Sequence, residues 1–161
     1  VWVADLSYVV LGEGVAYLAV VMDLHTRKVL GVALGPRLSQ GLALAALEMA
    51  LREGCPEVHH SDRGVQYTSR AYVERLLGLG VRLSYAGTGR PWENGHAERL
   101  IRPIKEEWVA LREYWGLAEA RASVKAFVVE VYDRKRPHSA LGYLTPEAFS
   151  ESLWKGGGSP D

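Results

Sequence analysis

Residues 1–8 of this chain are Val-Trp-Val-Ala-Asp-Leu-Ser-Tyr, an apolar stretch interrupted by a carboxylate at Asp5. The stretch predicts the first strand of a sheet, with Val1, Val3, Asp5 and Ser7 on one face, because side chains alternate along a strand. An isolated carboxylate is costly to bury without a counter-charge. Residues 1–8 therefore indicate a sheet that begins at the start of the chain and carries a charged site.

Two further acids lie in distinctive surroundings. Asp62 lies in His59-His60-Ser61-Asp62-Arg63-Gly64-Val65-Gln66-Tyr67, and Glu98 lies in Asn94-Gly95-His96-Ala97-Glu98-Arg99, with thirty-five residues between the two acids. No equal set of bases accompanies the three acids, so the predicted counter-charge is metal. Carboxylate oxygens suit Mg²⁺ or Mn²⁺, and three carboxylates are a sensible minimum for two such ions. Gly64 is expected to take a turn conformation barred to other residues.

The hydrophobic pattern along the chain predicts alternating strands and helices. Strands are expected at residues 1–9, 15–24, 28–34, 56–60 and 81–84, and helices at 39–53, 69–78, 93–115 and 117–135. Ser39 is the predicted N-cap of the first helix, with Gly54 ending it, and Trp108 and Trp115 are expected in the core. The order favours an α/β fold with a mixed sheet of about five strands flanked by helices.

Length and composition limit the class of protein. A chain of 161 residues predicts one domain, which we place at 1–149, followed by a disordered tail at 150–161 that contains Gly156-Gly157-Gly158. Hydrophobic residues make up 48% and charged residues 24%, and no apolar run approaches the ~20 residues of a membrane span. The single cysteine, Cys55, excludes an internal disulfide and fits a reducing cytosol. The net charge of zero argues mildly against a protein that coats DNA.

The three acids and their contexts resemble the catalytic core of DDE transposases of bacterial insertion sequences and of retroviral integrases. The matching stretches are Trp2 to Tyr8, His60 to Tyr67 and Asn94 to Leu100, and residues 136–146, Arg-Pro-His-Ser-Ala-Leu-Gly-Tyr-Leu-Thr-Pro, resemble the distal signature of the insertion-sequence branch. Glu93 departs from the pattern, since relatives often carry Asp there. The resemblance implies a ribonuclease H-like fold, a catalytic and metal-binding triad of Asp5, Asp62 and Glu98, and two Mg²⁺ or Mn²⁺ ions per site.

The same resemblance implies DNA as the partner, both the ends of the element and the target. Joining two ends implies a homo-oligomer. The start at Val1, within a predicted strand, leads us to expect a fragment, because a helical end-binding region precedes this core in the resembled family.

Several polar residues near the acids are candidates for supporting roles. Arg102 and Lys105 share a helix face with Glu98 and are expected to contact phosphates, although a solvated basic face is the alternative. Gln66 is a further DNA-binding candidate, and His96 is either a DNA contact or a solvated turn residue. His60 is expected to orient Asp62 by contacting the carboxylate without binding the metal, and Asn94 is expected to support the site in the same way. Asp23 and Glu48 are assigned to structure, the first to a turn and the second to a helix.

Two other functions remain open on the sequence. One is a ribonuclease H-like nuclease that cuts RNA–DNA hybrids or branched DNA, against which the stretch from Arg136 to Pro146 argues. The other is a non-catalytic DNA-binding module from a decayed element, against which the intact triad argues. Transfer of a DNA 3′ end to a new strand distinguishes the first, and Mn²⁺ titration distinguishes the second.

Overall fold

The chain is built on one five-stranded sheet. In chain order the strands are β1 (Trp2–Leu11), β2 (Gly14–Asp23), β3 (Val29–Gly35), β4 (Val58–Ser61) and β5 (Arg82–Tyr85). Their order across the sheet is β3-β2-β1-β4-β5. The pairs β1–β2 and β2–β3 are antiparallel, whereas β1–β4 and β4–β5 are parallel. The predicted mixed sheet of about five strands is confirmed.

The structure is a computed structural model, and it describes residues 1–87, 113–128 and 141–156, together with residues 95, 99, 102, 104, 106, 134, 137 and 138. Within this part of the chain the helices are α1 (Gln40–Leu51), α2 (Val65–Thr68), α3 (Arg70–Leu77), α4 (Leu117–Ala126) and α5 (Pro146–Gly156). Searched over the same residues, no helix has both the length and the apolar character that crossing a membrane requires.

Helix α1 begins where its capping residue predicts. The Ser39 side chain accepts a hydrogen bond from the Leu42 backbone N–H at 3.2 Å, which satisfies one of the free donors at the helix start. The helix ends at Leu51, two residues earlier than expected. The close approach of α1 to the sheet depends on Gly31, because a Cβ there would collide with the backbone carbonyl oxygen of Ala46.

The two faces of the sheet carry separate hydrophobic cores because side chains alternate along β1. One core contains Val3 and Val9 of β1 together with Ile104 and Val124, so Ile104 and α4 pack on this face. The other contains Trp2 and Ala4 with residues of α1, α2 and α3, among them Leu47, Tyr67 and Leu76. Asp5 lies on the first of these faces, since it is two residues from Val3.

Two acids that the sequence assigns to structure have structural partners. Asp23 closes the turn between β2 and β3, where its carboxylate accepts hydrogen bonds from the His25 N–H at 3.2 Å and the Thr26 hydroxyl at 2.9 Å. Glu48 on α1 accepts a hydrogen bond from Arg75 Nε on α3 at 2.5 Å. Both assignments are confirmed.

The C-terminal half departs from the prediction in three places. The helix expected at 93–115 is helical at residues 95, 99 and 102, but residues 113–116 are not helical. Trp115, expected in the core, is 73% exposed, and its ring lies over Gly12 in the β1–β2 turn. Residues 150–156, placed by the sequence in a disordered tail, form the last part of α5. The expected core residue Trp108 lies outside the described residues.

Candidate active site

The parallel pairing of β1 and β4 bears on the placement of Asp5 and Asp62. In that pairing Trp2 is level with His59, and Val3 with His60. Asp5 lies on β1 two residues after Val3, and Asp62 directly follows Ser61, the last residue of β4. Both side chains are half-buried. The predicted convergence of the two carboxylates is compatible with this pairing and stays a prediction.

The charges of both aspartates act on the buried hydroxyl of Tyr67. Tyr67 lies on α2 and is buried against Tyr72. Burial is the main cause that raises the pKa of the Tyr67 hydroxyl, and the charges of Tyr72, Asp5 and Asp62 raise this pKa further. Both carboxylates thus lie close enough to act on the same phenol.

The Asp62 side chain is held by the backbone that follows it. The Gly64 N–H donates to Asp62 Oδ1 at 2.7 Å, a short turn in which a carboxylate accepts from the residue two positions on. The Gly64 carbonyl then accepts from the Tyr67 and Thr68 N–H groups at 3.0 and 3.1 Å, which starts α2. Gly64 has φ −57° and ψ 149°. The expectation that it needs a conformation barred to other residues is wrong, because every L-residue adopts these angles.

His60 precedes Asp62 by two residues, but its hydrogen bond is to another strand. Its Nδ1 lies 2.8 Å from the hydroxyl of Ser84, the residue level with it on β5. Its Nε2 is buried, with no hydrogen-bond partner among the described residues. The role predicted for His60, orienting Asp62, stays a prediction.

Comparison with known proteins assigns this site to a family. The sequence model described as "Integrase core domain" matches residues 1–91, and a second model with the same description matches residues 79–146. The chain belongs to the integrase core domain family. Its fold is the ribonuclease H-like fold, since it is similar to the catalytic core of BIV integrase with a TM-score of 0.71 and 19% identity, over 96% of each chain. The HTLV-2 integrase catalytic core in complex with magnesium gives a TM-score of 0.70 at 16% identity, over 92% and 93% of the two chains.

The curated relatives of this integrase core belong to insertion sequences. It is 36% identical over 154 residues to the uncharacterized 31 kDa protein of insertion element IS600 from Shigella sonnei, covering 94% of this chain and 57% of that protein. It is 36% identical over 151 residues to the transposase InsF for IS3A of Escherichia coli K12, covering 92% and 52%. The transposase for IS904 of Lactococcus lactis is 30% identical over 154 residues, covering 94% and 61%. The integrase core thus spans between half and two thirds of these relatives.

Part of the predicted site of the integrase core lies outside the described residues, namely Glu98, Asn94, His96 and Lys105. Among the residues that the structure does describe, no group of three or more His, Cys, Asp or Glu side chains converges as a metal site. Some residues near Glu98 in the sequence are described. Ile104 is fully buried in the core that contains Val3, and Arg102 is exposed, with its Nε 3.9 Å from Glu106 Oε1. Ile104 therefore packs on the sheet face that bears Val3 and Asp5.

The donors that are described fit a divalent cation. Asp5 and Asp62 offer hard oxygen ligands, and the hydrogen bond from Gly64 engages only Oδ1 of Asp62. Gln66, predicted to contact DNA, is half-buried one turn after Asp62. Neither Tyr67 nor Ser84 was predicted from the sequence as part of this site. Alternation along β5 shows which residues share a face with Ser84, but only the register between β4 and β5 shows that Ser84 lies beside His60.

A cavity of about 580 Å³ lies elsewhere, at the β3 edge of the sheet between α1 and α4. Four bases, Arg37, Arg52, Arg121 and Lys125, line it. The guanidinium of Arg121 donates to the Leu34 carbonyl oxygen at 2.8 and 3.2 Å, so this base closes the end of β3. Neither aspartate lines this cavity, and β2 and β1 separate it from β4.

Proposed function

We propose that this chain is the catalytic core of an insertion-sequence transposase, an enzyme that cleaves DNA and joins DNA strands by metal-dependent in-line phosphoryl transfer. The observation that carries the proposal is that Asp5 lies on β1 and Asp62 directly follows β4, its parallel neighbour, in a chain of the integrase core family. Glu98, separated from Asp62 by thirty-five residues in the sequence, is the proposed third member. The catalytic core is assigned to residues 1–149.

The three carboxylates, Asp5, Asp62 and Glu98, would hold two Mg²⁺ or Mn²⁺ ions. When bound, such ions supply Lewis-acid activation of the attacking oxygen and charge neutralisation at the leaving oxygen. The chain itself fixes the ligands, because Asp5 is held within β1, and Asp62 accepts the Gly64 N–H. Preorganised ligands of this kind need no rearrangement when the phosphodiester arrives.

The reaction proceeds in two displacements at phosphorus. Water attacks a phosphodiester at the end of the element and releases a 3′-hydroxyl, and that hydroxyl then attacks a phosphodiester of the target. Each step forms one P–O bond and breaks one. The first step hydrolyses a phosphodiester, and the second exchanges one phosphodiester for another. No covalent bond between protein and DNA is required.

DNA is the proposed partner, as element ends and as target. Arg102 and Lys105 would contact phosphates, with Gln66 and His96 as further contacts, and phosphate contacts position the duplex without reading its sequence. His60 and Asn94 would support the carboxylates. Synapsis of two ends requires a homo-oligomer, and the site of action is the nucleoid in the bacterial cytoplasm.

The test is a strand-transfer assay with the intact protein, labelled DNA ends and a target plasmid, in Mg²⁺ or Mn²⁺. We expect covalent joining that Asp5→Ala, Asp62→Ala and Glu98→Ala each abolish, while circular dichroism shows an unchanged fold. Near-normal turnover by any one mutant would remove that residue from the catalytic set. Cleavage of RNA–DNA hybrids without any joining would favour the nuclease instead.

A further inference from the structure

We propose that Gly64 is a positioning residue for Asp62, required because the space above its Cα is taken by the carboxylate. This inference rests on the proposed function, since it concerns how one metal ligand is aimed. Gly64 contributes its N–H, which donates to Asp62 Oδ1 at 2.7 Å. It also contributes the absence of a side chain.

The backbone at Gly64 does not explain the glycine. Its φ of −57° and ψ of 149° lie in the extended region that alanine adopts freely. A change to alanine therefore causes no backbone strain, and any effect that it has must come from the added methyl group.

The surroundings leave no room for that methyl group. A Cβ on Gly64 would lie 2.8 Å from Asp62 Oδ1 and 3.1 Å from Gln66 Oε1. Contacts between carbon and another heavy atom are optimal near 3.5–4.0 Å. Relief requires the ends of the Asp62 and Gln66 side chains to shift, and a shift of the carboxylate weakens its hydrogen bond with the Gly64 N–H.

The consequence is confined to the direction of one carboxylate. With Oδ1 held by the N–H, Oδ2 remains the oxygen available to a cation, and the Gln66 side chain occupies the other side of the same space. A rotated carboxylate would still be present and charged but would point its oxygens elsewhere. Partners that orient a metal ligand are typically worth 10–100-fold in metal affinity.

The experiment compares Gly64→Ala with Gly41→Ala, a change on α1 where a Cβ meets only Ser39 Oγ at 3.7 Å. We measure Mn²⁺ affinity by calorimetry, the melting temperature without metal, DNA affinity in EDTA, and hydrogen exchange of the residue-64 amide. We expect Gly64→Ala to weaken Mn²⁺ binding by about tenfold or more and to speed exchange of that amide. Its melting temperature and metal-free DNA affinity should match wild type, and Gly41→Ala should leave Mn²⁺ affinity unchanged.

An Asp62→Asn variant separates this inference from the function on which it rests. If Asp62→Asn binds Mn²⁺ as wild type does, the proposed metal site is wrong, and the role of Gly64 falls with it. If Asp62→Asn weakens binding but Gly64→Ala does not, the function stands and the positioning role is overturned. Unfolding of Gly64→Ala would also overturn the positioning role, because the added Cβ crowds only the side chains of Asp62 and Gln66.

Discussion

The buried imidazole of His59 should make the stability of the fold depend on pH. His59 is 2% exposed, and its Nε2 lies within hydrogen-bond distance of the Tyr72 hydroxyl, at 2.8 Å. The pKa of His59 falls from its ordinary value of 6.5 to about 4, mainly because the ring is buried. A backbone hydrogen bond opposes this lowering of the pKa, and the nearby charge of His60 adds to it. The folded chain therefore holds a neutral ring at a pH where the unfolded chain already binds a proton.

The sign and size of the effect follow from proton linkage. Because the unfolded state binds more protons between about pH 4 and pH 6.5, the free energy of unfolding rises with pH through this window. The difference between the two pKa values corresponds to roughly 3 kcal/mol, fully present above pH 6.5. About 2 kcal/mol of it is lost by pH 5. With a urea dependence of about 2 kcal/mol per molar, the unfolding midpoint should fall by roughly 1 M between pH 7.5 and pH 5 from this group alone.

Urea unfolding of three proteins from pH 4.5 to 8 tests this reasoning. His59→Gln should reduce the difference in unfolding free energy between pH 7.5 and pH 5 by about 2 kcal/mol, whatever its stability at pH 7.5. Tyr72→Phe should keep the wild-type dependence, because burial rather than the Tyr72 hydroxyl is the main cause of the lowered pKa. A His59→Gln variant with the full wild-type dependence would refute the assignment to this histidine.

Three further changes have defined outcomes. Gly31→Ala should destabilise the fold by roughly 2–3 kcal/mol, because its Cβ would collide with the backbone of Ala46, which cannot move aside as a side chain can; a wild-type melting temperature would contradict this. A double-mutant cycle on Arg75 and Glu48 should give a coupling free energy of only about 0.2–1 kcal/mol, because both side chains are partly exposed and water screens the ion pair. A coupling above about 2 kcal/mol would contradict this expectation. Lys105→Ala should lower the salt slope of DNA binding by about one unit, equally for several duplexes, whereas an unchanged slope would favour a solvated basic face.

Much of the fold could be predicted because local signals agreed with the final packing. The three antiparallel strands follow from runs of Val, Leu and Tyr, and Ser39 caps α1 as its side chain suggests. The four-residue helix α2 was missed because one turn shows no helical period. Trp115 was placed in the core by extending the apolar stripe of a helix into residues that are not helical. Helix α5 was not predicted, because the glycines after residue 155 outweighed the signal at its start, where Thr145 Oγ1 accepts from the Ala148 N–H.

The acids of the candidate site are proposed from the sequence alone, whereas the contacts around them come from the structure. Asp5 and Asp62 were selected by the alternation of residues along a predicted strand and by the spacing of the motifs, both of which are visible in the sequence. The bond from His60 to Ser84 depends on the register of β4 and β5, which no local pattern sets. The reason for Gly64 also lay beyond the sequence, since a glycine required for space and one required for backbone conformation look the same.

The parallel pairing of β1 and β4 has a consequence for how this protein acquires its site. Residues near position 3 pair with residues near position 60, and β2, β3 and α1 lie between them in the chain. Contacts of such long range form only after a large loop has closed, so they come late in folding and disappear with the global structure. A chain still emerging during synthesis, or one that has opened its central sheet, carries Asp5 and Asp62 on separate segments. Assembly of the candidate site is thereby tied to completion of the fold.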